Sequence, residues 1–495
     1  MKKAENKVNS KIPDEVSRIT EALEKAGFEA YIVGGCVRDL LLGRRPKDWD
    51  ITTNAKPEEI ISLFDETFYE NEYGTVGVVN KGIEDKTLSI VEVTPYRLEA
   101  EYSDNRRPDS VTFSEKIEDD LKRRDFTINA IAYSVSGNTV VDLHDGRGDL
   151  SQKILRTVGN PLERFEEDGL RILRAIRLHA ELGFTIEKET LEAIKRAGGL
   201  LKKISKERIR DEFVRIIMSD NPVNSLVLSR ELGILEHIIP ELEKGVGIEQ
   251  NQAHSYDVWE HGLKTLQHAV SKKWGLSLRL SAMFHDIGKP PTRQWSPEKK
   301  DWTFYGHDVV GARITEKTLK DLKFPKEVID KVGKLVRWHM FFSDTDQITL
   351  SAVRRLVSRV GQENVWDLMN LRVCDRIGTG RPKESPYRLR KYQSMIEEVM
   401  ADPISVGMLK IDGNVLIKKL KLSPGPKIGY ILHALLEEVL ENPLNNTEDY
   451  LEKKSRELAA LSDSELKKMG EKGKVEKENL QEEKIKEIRD KYWVK

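Results

Sequence analysis

YIVGGCVRDLLLGRRPKDWDITTNA, residues 31–55, is the stretch whose reading decides the fold. The run through Tyr31, Ile32 and Val33 reads as a short β-strand that stops at Gly34-Gly35, a turn that residues without a β-carbon make easily. CVRDLLL then reads as a helix, GRRPK as a basic turn, and DWDITT as a second strand carrying Asp48 and Asp50. Residues at i and i+2 of a strand face the same side, so the two carboxylates form a pair. Such a pair suits Mg2+, which binds oxygen ligands and neutralises charge on a reacting phosphate. At Gly34 and Gly35 backbone amides can approach a phosphate closely, and the helix start adds favourable potential. Arg38 is placed to add a charged, forked contact. The stretch therefore points to metal-assisted phosphoryl transfer on an α+β head.

Outward from it, EAYIVGG, GTVGVVN, TLSIVEVT and NTVVDL are β-type runs separated by helical stretches and by loops rich in Gly, Asp and Pro. From about Ser151 the pattern turns helical, as in RILRAIRLHAELGF and RIRDEFVRIIM. The expectation is a head with a small mixed sheet over residues 1–145, then all-helical regions: a neck and body over 146–250, a histidine-rich region over 251–380, a tail over 381–450, and a charged helix or disordered extension over 451–495. GTGRPKESP reads as a linker before the tail, and no internal repeat is visible. A chain of 495 residues has room for several domains. Its net charge of −1 hides 33% charged residues, so any nucleic-acid surface must be a local patch. Two distant cysteines argue against a disulfide framework and for a reducing compartment. With no secretory h-region and no apolar run near the ~20 residues that span a bilayer, a cytoplasmic protein is expected.

The Gly-Gly-x-Val-Arg-Asp turn followed by Asp-x-Asp resembles the head of the class II CCA-adding enzyme and bacterial poly(A) polymerase family, with Cys36 in the free position of the turn and Trp49 between the carboxylates. The resemblance implies template-independent nucleotide addition to an RNA 3′ end with Mg2+ at Asp48 and Asp50, and it places Glu92 as a third acidic residue. KRRDFTINAIA, expected as a helix, carries Arg124, Asp125 and Asn129, for which the family implies ribose selection. RFEEDGLRILRAIRLHAELGF resembles the base-reading motif, with Asp168 and Arg171 three apart on one helical face and Arg174 and Arg177 following. A carboxylate accepts from the exocyclic amine of cytosine or adenine while an arginine donates to the ring acceptor beside it. Guanine and uracil present a carbonyl there, so CTP and ATP are the expected substrates. ISKERIRDEF, with Glu207, Arg208 and Glu212, matches a neck motif expected to brace that helix. The loop EYSDNRRPDSVTF, with Arg106, Arg107 and Pro108, falls where CCA-adding relatives carry a loop linked to the switch from C to A addition.

Both family activities share these motifs. YGTVGVV resembles CCA-adding members, where poly(A) polymerases carry a Gly-Arg-Arg-Phe-like segment, so CCA addition to tRNA is favoured and poly(A) addition is the alternative.

A second constellation, His261, His285-Asp286, His307, His339 and Asp375, is spread over helices. Imidazole with carboxylate suits a divalent transition metal without naming it. His261, His285, Asp286 and Asp375 resemble the HD phosphohydrolase family, and adding His307 and His339 makes enough ligands for two ions. The implied chemistry is hydrolysis of a phosphomonoester or 2′,3′-cyclic phosphate by an activated water, trimming tRNA ends before resynthesis. His254 and His268 read as core histidines. Recognition of tRNA, acceptor and elbow, is expected through shape and phosphate contacts, with LKIDGNVLIKKLKLSPGPKIG as a candidate element. A signalling HD phosphohydrolase with a degenerate head is the competing class, and intact Asp48, Asp50, Asp125, Asp168 and Arg171 argue against it.

Overall fold

Apolar residues recurring at Val16, Ile19 and Leu23 bury one face of the first described helix, Asp14–Lys25, against the strand that follows it. Acidic Asp14 and Glu15 at its start and Lys25 at its end complement the helix dipole. The structure is a computed structural model, and it describes residues 11–69, 74–99, 111–251, 255–341, 348–400, 409–441, 443–462, 464–466 and 487–494. Arg106, Arg107, Pro108 and His254 lie outside the described residues.

The head strands are β1 (Ala30–Val33), β2 (Asp50–Thr53), β3 (Thr67–Tyr69), β4 (Val76–Val79), β5 (Ile90–Pro95), β6 (Arg97–Glu99), β7 (Val111–Phe113), β8 (Ile131–Ser134) and β9 (Thr139–Asp142). Seven of them form one mixed sheet in the order β3-β4-β5-β2-β1-β8-β9, and β6 pairs with β7. Within that sheet only the β2–β5 pairing is parallel, with Asp50 opposite Glu92 and Ile51 opposite Val93. The central strands carry fully buried Ile32, Ile51, Val91, Val93 and Ala132. β8 was not expected, because KRRDFTINAIA reads as a helix. The helix Ile117–Lys122 instead ends where Arg123 and Arg124 turn back onto Asp120. A single 3-10 turn, Thr127–Asn129, then delivers Ile131 into the sheet.

Beyond the head the described residues are helical, as expected, apart from two-residue strands Ile154–Leu155 and Thr185–Ile186 and one hairpin, Gln294–Ser296 with Asp301–Thr303. Helix Leu170–Leu182 is buried along most of its length and is stopped by Gly183 in the left-handed conformation. Helix Lys206–Met218 packs along it.

The contacts divide the chain into two compact units, residues 1–337 with 378–380, and residues 338–377 with 381–495. The second unit has its own core, in which Ile431, Leu435 and Val439 of helix Pro426–Glu441 meet Leu451 and Leu458 of helix Glu448–Ala459. Its last described residues are not a loose extension: Arg489 pairs with Glu398 at 3.1 Å and Lys491 with Glu397 at 2.8 Å on helix Tyr387–Met400. Among the described residues no helix is long and apolar enough to cross a membrane.

Candidate functional site

Gly34 has φ 84°, a conformation that an L side chain rarely adopts. A β-carbon there would lie 3.0 Å from the Arg124 guanidinium and 3.4 Å from Oδ2 of Asp50, and one on Gly35 would lie 4.0 Å from Oδ1 of Asp48. Both carboxylates thus face the glycine turn. They do not share a strand as the spacing suggested, since β2 begins at Asp50 and Asp48 sits in the bend before it. Trp49, buried between them, points the other way and anchors the bend in the core.

Asp50 and Glu92 stand side by side across β2 and β5. Burial, then the charges of Glu92 and Asp48, push the Asp50 carboxyl up to about 7. Asp48 and Asp50 at the glycine turn, with Glu92 beside Asp50, are an oxygen donor set whose crowded charge a hard divalent cation would relieve, so the residues fit Mg2+. Beneath them Cys36 donates to the Val33 carbonyl at 3.2 Å, and burial pushes its thiol up to about 12.

Two hydrogen bonds and an ion pair lead away from this face. Arg38 donates to Asn129 at 2.8 Å, Asn129 to Asp125 at 3.1 Å, and Arg174 pairs with Asp125 at 2.7 Å. Burial alone would raise the Asp125 carboxyl, but Arg174, Asn129, Arg171 and the Phe126 amide outweigh it and bring it to about 2. Asp125 is therefore a fixed anion that can only accept. Arg38, expected at phosphate, spends its guanidinium on Asn129 and Asp39, as a strut between the glycine turn and the 3-10 turn. Arg124 leans over Gly34 while Asp120 holds it at 2.9 Å. Asp120 was missed in sequence, although its spacing four before Arg124 is a helical ion-pair signal.

Asp168 precedes the helix it was expected on. It accepts from the Leu170 amide at 3.0 Å and from Arg208 at 2.7 Å. Arg171 pairs with Glu167 and donates to the carbonyls of Arg164 and Arg123, each at 3.1 Å. Arg177, expected near nucleotide, is buried between Glu212 at 2.6 Å and Glu181 at 3.2 Å, which makes it a brace. Arg208 and Glu212 both lie on helix Lys206–Met218, so this helix steadies the Asp168–Arg177 segment as the neck motif suggested.

In the same unit, helices Val258–Ser271, Leu276–Phe284 and His307–Asp321 bring His261, His285, Asp286 and His307 together. Nε2 of His261 lies 3.0 Å from Nε2 of His285, and both lie within 3.3 Å of Oδ2 of Asp286. Nε2 of His307 lies 3.4 Å from Oδ1 of Asp286. Nδ1 of His285 sits 2.9 Å from the Ala282 carbonyl and Nδ1 of His307 sits 2.7 Å from that of Phe304. These contacts place a proton on Nδ1 of both rings, so Nε2 is the nitrogen that would face a metal. Imidazole lone pairs converging on a buried carboxylate fit a divalent transition cation. Lys289, buried, donates to Asp286 and to Gln250, each at 2.6 Å. HDIGK signals Lys289, one helical turn after Asp286, whereas nothing local signals Gln250. His268 packs edge-on against Trp274.

His339 and Asp375 belong to the second unit, His339 buried just after helix Lys326–Trp338 and Asp375 receiving Arg372 at 2.6 Å on helix Val365–Gly378.

Comparison with known proteins agrees with this layout. The chain matches the family described as Poly A polymerase head domain over residues 30–156, the Probable RNA and SrmB- binding site of polymerase A over 183–245, and the HD domain over 258–369. It is 34% identical to the CCA-adding enzyme of Lactiplantibacillus plantarum, covering 88% of this chain and 93% of the relative. It is also 34% identical to the CC-adding tRNA nucleotidyltransferase of Thermus thermophilus, covering 85% and 92%. The crystal structure of the Bacillus stearothermophilus CCA-adding enzyme in complex with CTP superposes with a TM-score of 0.60 at 28% identity, over 90% of this chain and 98% of that one. With the head, the RNA-binding region and the HD domain following one another in this order, the chain belongs to the CCA-adding enzyme and poly(A) polymerase family.

Proposed function

We propose that this chain completes tRNA 3′ ends by adding C, C and A from CTP and ATP. The observation that carries the reading is the acidic face of Asp48, Asp50 and Glu92 against the Gly34–Gly35 turn. In the reaction the tRNA 3′-hydroxyl attacks the α-phosphorus of the nucleotide, the bond to the β-phosphate oxygen breaks, and pyrophosphate leaves. Asp48 and Asp50 would hold Mg2+, with Glu92 in support; when bound it neutralises the triphosphate and makes the hydroxyl a better nucleophile. The Gly34 amide, expected at phosphate, donates instead to the Ile131 carbonyl at 3.3 Å, so the Gly35 amide at the helix start and the Arg124 guanidinium receive the phosphates. Asp125, kept ionised by Arg174, accepts from the ribose hydroxyls. Asp168, steadied by Arg208, accepts from the exocyclic amine of C or A and Arg171 donates beside it, the base edge replacing Glu167 as the partner of Arg171.

The test is extension of a tRNA lacking its last three nucleotides with CTP and ATP together, followed by sequencing. CCA ends are expected, and long A tracts without C would overturn the reading. The Thermus relative, equally similar, supports a second reading in which addition stops at CC. The same assay separates the two.

The HD cluster is assigned hydrolysis of a phosphomonoester or 2′,3′-cyclic phosphate at an RNA end. Water adds across one P–O bond, and the released ribose oxygen takes the proton. His261, His285, Asp286 and His307 would hold the metal, which activates the water when bound. The assignment fails if metal-loaded protein hydrolyses neither 2′,3′-cyclic AMP nor p-nitrophenyl phosphate, or if Asp286→Ala leaves that hydrolysis unchanged.

A further inference from the structure

Between Asp286 and His307 the chain makes the hairpin Gln294–Ser296 and Asp301–Thr303, which neither chemistry above uses. We propose that the Trp295 face of this hairpin is a stacking platform for the terminal nucleobase of an RNA, so that the HD cluster takes RNA 3′ ends in preference to free phosphate monoesters; the inference rests on the phosphohydrolase reading of that cluster.

The hairpin is tied to the cluster at its base. Helix Lys289–Thr292 leads into it from Asp286, and the Lys289 ammonium lies 5.6 Å from the centre of the Phe304 ring. The Phe304 carbonyl holds Nδ1 of His307 at 2.7 Å, and Tyr305 is two residues from His307, within about 7 Å along the backbone. The Phe304–Tyr305 end of the hairpin is thus held close to the cluster by the chain itself.

Its exposed face is aromatic and cationic. Trp295 and Trp302 are register partners with ring centres 5.2 Å apart and planes at 75°. The Arg293 guanidinium stacks 3.7 Å over Trp302. Trp302 is thereby occupied, while Trp295 stays 53% exposed and Tyr305 73% exposed, the Tyr305 hydroxyl accepting from Lys299 at 2.7 Å. The cross-strand pair covers one side of Trp295, and the rest of its ring, like most of Tyr305, stays open to solvent. Over residues 293–305 three cations (Arg293, Lys299, Lys300) face two anions (Glu298, Asp301), a local excess of one positive charge. Open aromatic rings interleaved with cations are the surface that single-stranded nucleic acid uses, bases on rings and phosphates on ammonium and guanidinium groups. Because the adjoining cluster acts on phosphate esters in the reading above, an RNA end fits this face better than a protein partner, which would call for no phosphate chemistry beside it.

The test compares kcat/KM for a short RNA ending in a 2′,3′-cyclic phosphate with kcat/KM for p-nitrophenyl phosphate, in the metal-loaded full chain. Trp295→Ala should lower the RNA-to-nitrophenyl ratio about tenfold, chiefly through KM, and Trp295→Phe should restore most of it. Parallel loss on both substrates would overturn the proposal, because the hairpin would then only frame the cluster. A second measurement uses the unaltered protein. RNA with 4-thiouridine as its 3′-terminal base is photo-crosslinked and the attached peptide identified, with residues 294–305 expected; a crosslink map without that peptide also overturns the proposal. If the wild type hydrolyses neither substrate, the phosphohydrolase reading has failed, and the crosslink alone decides the platform.

Discussion

Arg174, on the helix that follows Asp168, grips Asp125 at 2.7 Å and so ties the ribose-facing anion to the base-facing segment. The pair has a direct consequence for stability. The Asp125 carboxyl sits at about 2 in the fold against an ordinary 3.8, a difference worth about 2 kcal/mol. A carboxyl lowered in the folded state stabilises fully above its unfolded value and loses that contribution as pH falls through its folded value. Arg174→Ala should therefore destabilise the protein by about 2 kcal/mol in urea titrations at pH 7, with the gap to wild type closing as pH falls from 4 toward 2. A gap independent of pH would show that the effect is packing.

Asp50 makes the opposite prediction. Its carboxyl is held up by burial and by two neighbouring anions, so the fold is strained there when no cation is added. Asp50→Asn should raise stability by about 1–3 kcal/mol in chelator, as judged by thermal melting, while lowering nucleotide addition by on the order of a thousandfold. A destabilised Asn variant would contradict the crowding of carboxylates at this face.

Gly34→Ala asks an L side chain to hold φ 84° with its β-carbon 3.0 Å from Arg124. The expected cost is about 1–2 kcal/mol of stability, with at least a tenfold fall in CTP incorporation because Arg124 must move. Normal incorporation kinetics would show that the turn need not come so close to the phosphates.

Arg208 holds Asp168 from forty residues away in sequence. Arg208→Ala should leave the carboxylate free to reorient and raise UTP misincorporation relative to CTP by about tenfold, measured by single-nucleotide extension. Unchanged discrimination would mean that Asp168 is positioned by its own Leu170 amide contact.

The parts of this fold legible in sequence were those governed by local pattern. β1, the Gly34–Gly35 turn, β4, β5 and the amphipathic helices follow from short-range periodicity and glycine chemistry. The stretch from Arg123 to Ile131 did not, because its shape is set by distant partners: Asp120 reels in both arginines, and the Thr127 amide donates to the carbonyl of Arg156. The same holds for Asp168 and Arg171, whose spacing suggests one helical face. The extended backbone of Asp168 ends one helix before the next begins, and the contacts with Arg208 and Glu167 send the two side chains in different directions. Asp48 left its expected strand for a similar reason, since burying Trp49 fixes the bend and the carboxylate follows. His285 and Asp286 were legible as adjacent residues, but the tautomer that turns Nε2 toward Asp286 depends on the Ala282 carbonyl.

Cys36 and Cys374 are the chain's two cysteines, and both are buried. Cys36 is further protected because its thiol resists ionisation until about 12. The native sequence is therefore already a quiet background for maleimide chemistry. A single cysteine placed at an exposed position, such as Pro297→Cys at the tip of the Trp295 hairpin, would take a fluorophore alone, allowing distances to a labelled tRNA to be followed without first rebuilding the polymerase face.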